Sequence, residues 1–305
     1  MRGDRAAGAV ELSKALCEPQ AITLIRGRGS VDTVRVVYAT SGKAQLAYEC
    51  VGNATGTHVL LIHAGVTDRR SWHRVVERLV ARHRCIGYDA RGYGDTRYEP
   101  EDGWSPVGDA VAVLDAAGCA RACVVACSAG GQTGIDLALA RPERVAALLL
   151  IGTGVRGAPA TDDLPAATAE LVQRIDAAES SGDLDLVNQL EAWLWLDGPS
   201  APQGRVGGNA RELFLEMNGR ALHATDPGEP AEIEPAWPRL HQLACPTLVM
   251  VGALDHERIQ SIDSTIASMI PGAAFLKLDG VAHLPHLEGD PVTLEHIDRF
   301  TATLG

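Results

Sequence analysis

The sequence predicts an α/β chain: a mostly parallel, eight-stranded sheet with helices on both faces and a helical insertion near its middle. Three observations carry this. Continuous apolar strands alternate with helix-period segments from about Val34 onward, strand patterns vanish over 155–238, and the alternation resumes at Pro246. Apolar strands with no polar face imply burial on both sides, which parallel sheets require because their crossover helices cover both faces.

The elements follow in order. VRVVYAT (34–40), the turn SGK and LAYECVG (46–52) read as an antiparallel hairpin of β-branched and aromatic residues. HVLLIHAG (58–65) is a buried strand, and SWHRVVERLVARH (71–83) places Val75, Val76, Leu79 and Val80 on one helical face. Strands at 84–94, 120–128 and 144–154 alternate with helices at 107–117 and 131–140. Within 155–238 the spacing of Leu171 and Ile175, then Leu186, Leu190, Trp193 and Leu194, is helical, and the acidic, proline-rich DPGEPAEIEPAWP (226–238) reads as an extended return. Strands at 246–255 and 273–280 and helices at 264–269 and 292–303 complete the unit. The expected organisation is an N-terminal extension (1–30), a core from 31–154 and 239–305, and a helical cap over 155–238.

Bulk properties narrow the partners. A chain of 305 residues with 46% hydrophobic and 22% charged residues can bury a full core. Its formal charge of −12 repels phosphate backbones and anionic lipid, so the expectation is a small-molecule substrate, with no nucleic acid and no membrane. A homo-oligomer is left open. The seven cysteines are odd in number and scattered, which suits thiols kept reduced, and with no apolar signal segment at the start a cytoplasmic protein is expected. Cys119, Cys123 and Cys127 resemble a metal run, but ARACVVACS reads as a buried strand, so no metal is expected.

Chemistry in such sheets gathers at the carboxyl ends of the strands. After CVVA comes ACSAGG, a strand-turn-helix junction where a nucleophile on a sharp turn tolerates only small residues two positions to either side. Ala126 and Gly130 satisfy that for Ser128, whereas Cys127 would need a small residue where Val125 stands. The blander role for Ser128 is a helix cap. A serine hydroxyl needs an imidazole to take its proton and a carboxylate to orient that imidazole. Downstream, Asp255 or Glu257 follows TLVMVG, and His283 or His286 lies in DGVAHLPHLEGDP.

With these motifs in place, the chain from Val34 to Leu304 resembles the α/β-hydrolase fold family, specifically its lid-bearing esterase, enol-lactonase and C–C hydrolase branch. LLIHAGVTDRRSW is similar to the oxyanion segment, YDARGYGDT to the loop after the fourth strand, CSAGG to the elbow, PTLVMVGALD to the acid loop and VAHLPHLEGDP to the histidine loop. The resemblance implies Ser128 as nucleophile, Asp255 as orienting acid, His283 as base, and an oxyanion hole from the backbone N–H groups of Gly65 and Ala129, with no cofactor. It assigns the charged loop of Asp89, Arg91 and Asp95 to structure; His63 is read as supporting the oxyanion segment through hydrogen bonds, because no zinc-binding set surrounds it, and Trp193 and Trp195, in the pattern EAWLWLDGP, are left between pocket lining and the favoured role of helix packing. The chain departs from the family's usual glycines at Ala64, Ala126 and Ala282, where each added methyl bears on the site. The activity implied is cleavage of a carboxylic ester or lactone; the alternatives are C–C hydrolysis of a β-diketone-like compound or ligand binding without turnover.

Overall fold

The computed structural model describes residues 22–25, 31–159 and 164–303. The chain divides into two units, 1–36 and 37–305. In the first, β1 (Ile22–Ile25) and β2 (Val31–Val34) pair antiparallel, Ile22 opposite Val34. Most of the expected 1–30 extension lies outside the described residues, and the boundary falls at Val36/Val37, six residues beyond the one expected, because 31–34 pairs locally with 22–25.

The second unit carries the main sheet. β3 (Val37–Ser41) and β4 (Ala44–Gly52) form the expected hairpin around Gly42, whose φ of +54° suits a residue without a side chain. Then come β5 (His58–Ile62), β6 (Arg84–Tyr88), β7 (Arg97–Tyr98), β8 (Ala122–Cys127), β9 (Val145–Ile151), β10 (Thr247–Gly252) and β11 (Ala274–Leu278). The strand order is β11-β10-β9-β8-β5-β6-β4-β3, parallel from β11 to β6 and antiparallel beyond. The eight expected strands make up this path. A ninth, the two-residue β7, pairs with Ala44 and Gln45 of β4, too short to leave a periodic signal.

Helices cover both faces. Leu60, Ile62, Ile86, Tyr88, Val124, Ala126, Leu148 and Leu150 face a core shared with α2 (Pro106–Ala116), α3 (Ala129–Ala140) and α7 (Glu257–Met269). The alternate residues Val59, Leu61, Val125 and Leu149 are buried too, on the side of α1 (His73–Leu79), α8 (Pro285–Glu288) and α9 (Pro291–Ala302). Between β9 and β10 run α4 (Ala166–Ser181), α5 (Leu184–Glu191), a π-helical turn (Ala192–Asp197) and α6 (Gly208–Leu222), whose Leu171, Ile175, Val187, Leu190 and Leu194 form a core of their own. No described helix is long and apolar enough to cross a membrane.

Four strands end three or more residues earlier than expected, at Ile62, Tyr88, Ile151 and Gly252 rather than 65, 94, 154 and 255, because the ladder stops where the chain turns into its carboxyl-end loops while apolar and glycine residues continue. Helix α7 begins at Glu257, not 264, because Ile259, Ile262 and Ile266 extend its apolar stripe backward and the His256 ring accepts the Arg258 N–H.

Candidate active site

Ser128 sits between β8 and α3 at φ +53°, the one positive-φ residue other than glycine among the described residues. A side chain in that conformation is strained and persists only where neighbours impose it. Its N–H donates to the Ile151 carbonyl at 2.9 Å, and its own carbonyl accepts the Gln132 N–H at 3.1 Å. Although Ser128 occupies the cap position of α3, its hydroxyl makes no capping bond, which removes the blander role. The small-residue requirement is steric: a methyl on Gly130 would stand 2.4 Å from the Ile62 carbonyl oxygen. Ala126, by contrast, points its methyl into the core beside Gly134 of α3, so it does not crowd the turn.

Asp255 and His283 arrive on the loops after β10 and β11. His283 Nδ1 lies 2.8 Å from Asp255 Oδ2, both side chains being buried, and Asp255 Oδ1 accepts the His256 N–H at 2.7 Å. With a carboxylate as acceptor, Nδ1 is the donor, and in a neutral imidazole Nε2 then keeps its lone pair. The pair is joined to the elbow through its neighbours: the Cys127 thiol donates to the His283 carbonyl at 3.5 Å, and a methyl on Gly152, the residue after β9, would stand 2.8 Å from His283 Nδ1. The carboxyl ends of neighbouring strands β8, β10 and β11, with β9 among them, thus deliver the three residues to one edge.

The rivals lie elsewhere. Glu257 accepts the hydroxyls of Thr168 and Ser200, which engages it with the insertion. His286 is buried and stacked on Trp72 with ring centroids 3.9 Å apart; both its nitrogens lack partners among the described residues, and burial pushes its pKa down to about 3. His63 holds the loop after β5, donating from Nδ1 to the Ala64 carbonyl at 2.8 Å and accepting the Ala90 N–H on Nε2 at 3.0 Å. Asp89 accepts the backbone N–H groups of Arg69 and Asp95 and pairs with the Arg69 guanidinium, while Arg91 pairs with Asp109 and Glu101. These charges close turns.

Gly65 and Ala129 meet: a methyl on Gly65 would lie 3.5 Å from the Ala129 methyl and 3.6 Å from the Tyr93 hydroxyl. Both residues line a cavity of about 230 Å³, whose walls include Tyr93, Trp104, Gln132 and Arg156. Cys123 and Cys127 are buried in β8, and burial pushes the Cys123 thiol up to about 12.

Sequence reasoning left one participant undecided and missed two. Trp195, in the π-helical turn, places its ring 4.7 Å from that of His283. Gly152 owes its position to a turn no motif marks. Asp263, fully buried in α7, accepts the Thr153 N–H at 3.0 Å, and burial, then the charge of Asp255, pushes its carboxyl well above the ordinary range. Its signal was an acid on the apolar stripe, four residues after Ile259 and three before Ile266.

A strand-turn-helix elbow, a buried acid–imidazole pair and two converging small residues on a mostly parallel sheet define a hydrolase class. The chain belongs to the Alpha/beta hydrolase family, whose pattern it matches over residues 59–295, and it is a hydrolase. Rhodomycin D methylesterase DnrP of Streptomyces peucetius is 28% identical over 284 residues, 83% of this chain and 94% of that protein. A putative carbamate hydrolase of Azorhizobium caulinodans is 38% identical over 121 residues, but the match takes in 39% of this chain and 45% of the relative. The enol-lactonase from Burkholderia xenovorans LB400 superposes with a TM-score of 0.69 at 21% identity, over 87% of this chain and 99% of the other. An esterase from Thermogutta terrifontis gives 0.68 at 23%, covering 90% and 99%. At these identities the two structures speak to the fold.

Proposed function

We propose that the protein is a serine hydrolase that cleaves a carboxylic ester or lactone of a small to medium organic substrate through an acyl-enzyme on Ser128. The observation that carries this reading is the strained placement of Ser128 on an edge shared with the 2.8 Å Asp255–His283 pair. Ser128 Oγ attacks the carbonyl carbon and its proton passes to His283 Nε2, while Asp255 holds the imidazole in the right tautomer and stabilises its charged form. The oxyanion takes hydrogen bonds from the N–H groups of Gly65 and Ala129; one such donor is worth about 3 kcal/mol in comparable sites. The imidazolium protonates the departing alkoxide, and water, activated by the same imidazole, releases the acid.

The cavity beside Gly65 and Ala129 has room for a compact group, and its aromatic walls suit an apolar one. The insertion over 155–238 serves as a lid that keeps bulk water from the acyl-enzyme. A relative that matches 83% of this chain is named a methylesterase, which favours ester chemistry. The test is mass spectrometry after treatment with a fluorophosphonate: one adduct on Ser128 in folded protein, none in Ser128→Ala, with ester or lactone turnover lost in parallel. A folded parent protein that takes no adduct refutes the reading.

A second reading is hydrolysis of a carbon–carbon bond next to a carbonyl. It draws on a 2-hydroxymuconate semialdehyde hydrolase of a Pseudomonas species, 35% identical over 123 residues, 42% of that protein. Turnover of a ring-fission diketone with no turnover of aryl esters or lactones would favour it.

A further inference from the structure

The helical insertion grips the histidine loop through one side chain. Arg205 uses all five of its N–H donors: Nε to the Asp197 carbonyl at 2.7 Å, Nη2 to the Leu196 carbonyl at 2.8 Å and Glu288 Oε1 at 2.9 Å, and Nη1 to the Gly280 carbonyl at 3.0 Å and Glu288 Oε2 at 2.8 Å. Two acceptors belong to the π-helical turn and three to the segment that bears His283. Glu288 Oε1 in turn accepts the Ala282 N–H at 2.9 Å, and the next amide, that of His283, donates to the Trp195 carbonyl at 3.2 Å. Both consecutive N–H groups at the imidazole are therefore held by this assembly, and the Trp195 ring rests on the imidazole itself. The Asp197 carboxylate fixes the chain around Arg205, accepting the N–H groups of Gly204 at 2.8 Å and Val206 at 2.9 Å and pairing with Arg211 at 2.9 Å.

A planar guanidinium can satisfy five acceptors in a fixed fork, which an ammonium cannot. A π-helical turn inserts an extra residue per turn and is found mostly where a site requires it; here it brings the Trp195 carbonyl and ring to the histidine. We propose that Arg205, with Glu288 and Trp195, forms a clamp that positions His283, so that the imidazole is aimed at Ser128 only while the π-helical turn is seated on the histidine loop. These are positioning residues, and the proposal rests on the reading of Ser128, His283 and Asp255 as the reacting set.

The test uses the full chain and a fluorophosphonate, whose reaction with Ser128 reports on the base without a known substrate. Arg205→Ala and Glu288→Ala should each slow modification at saturating reagent at least about tenfold, since misplacing a reacting group by a fraction of an ångström has effects of that order. The double variant should be no slower than the worse single one, because both break the same clamp. Millimolar methylguanidinium should restore much of the rate of Arg205→Ala and none of that of Glu288→Ala. A rate for Arg205→Ala within about twofold of the parent, or losses that multiply in the double variant, would overturn the proposal. If Arg205→Ala fails to fold, Arg205→Lys, which keeps the charge and loses the fork, is judged by the same twofold criterion. If the parent itself is not modified at Ser128, the functional reading fails, and hydrogen exchange decides the clamp: faster exchange of the 280–284 amides in Arg205→Ala upholds it and unchanged exchange overturns it.

Discussion

Gly152 packs directly under His283: a methyl group on it would stand 2.8 Å from Nδ1 and 3.0 Å from Asp255 Oδ2, at a backbone φ of +54°. The hydrogen bond between acid and imidazole thus lies against bare backbone at the exit of β9. Gly152→Ala is expected to lower stability by about 1–2 kcal/mol through the left-handed backbone alone. By pushing the pair apart it should also lower the rate of fluorophosphonate modification about a hundredfold. Urea unfolding and inactivation kinetics on one preparation check both.

Ser128→Gly separates strain from chemistry. The φ of +53° disfavours serine and suits glycine. The variant should lose all modification at this position yet gain about 1 kcal/mol in unfolding free energy, the usual size of relief at a strained backbone position. An unchanged or lower stability would mean that the elbow is not strained by its side chain.

Gly65→Ala probes the proposed oxyanion site. The added methyl would meet Ala129 and Tyr93 only at ordinary contact distances, 3.5 and 3.6 Å, so stability should change by less than about 0.5 kcal/mol. The methyl nevertheless enters the cavity shared by Gly65 and Ala129. Ester turnover should fall about tenfold or more with little change in melting temperature. Parent-like kinetics would mean that the reacting group does not approach the face of residue 65 where the methyl stands.

His286 supplies a pH dependence of stability. Burial lowers its folded pKa to about 3, against an ordinary value near 6.5. Between those values the unfolded chain binds a proton that the folded chain refuses, so its contribution is fully present above about 6.5 and is lost as pH falls toward 3, at up to about 1.4 kcal/mol per pH unit. His286→Phe keeps a ring on Trp72 and removes the titrating group. Urea unfolding from pH 7 to pH 4 should show a shallower acid loss in the variant; identical slopes would mean that the buried imidazole protonates without opening the core.

Most of the architecture was legible in the chain because burial on both faces leaves an unmistakable run of apolar residues. β8, β9 and β10 read that way, and the elbow could be located because a tight turn restricts residue size at Ala126 and Gly130. Where the pattern was local and short, as in β7, or where polar residues interrupt an apolar stripe, as in the first turns of α7, the reading fell short.

Sequence by itself determined the order of strands and helices and the small-residue turn around Ser128, since propensity, periodicity and steric limits act between near neighbours. The resemblance already named Asp255 and His283, but only the tertiary structure shows that they meet. Asp255 and His283 are 28 residues apart and touch, whereas Glu257 bonds to Thr168 and Ser200 and His286 stacks on Trp72. The same holds for the Arg205 fork and the Trp195 ring on His283, because contacts between distant segments depend on how packed layers bring their loops together, and no local pattern records that.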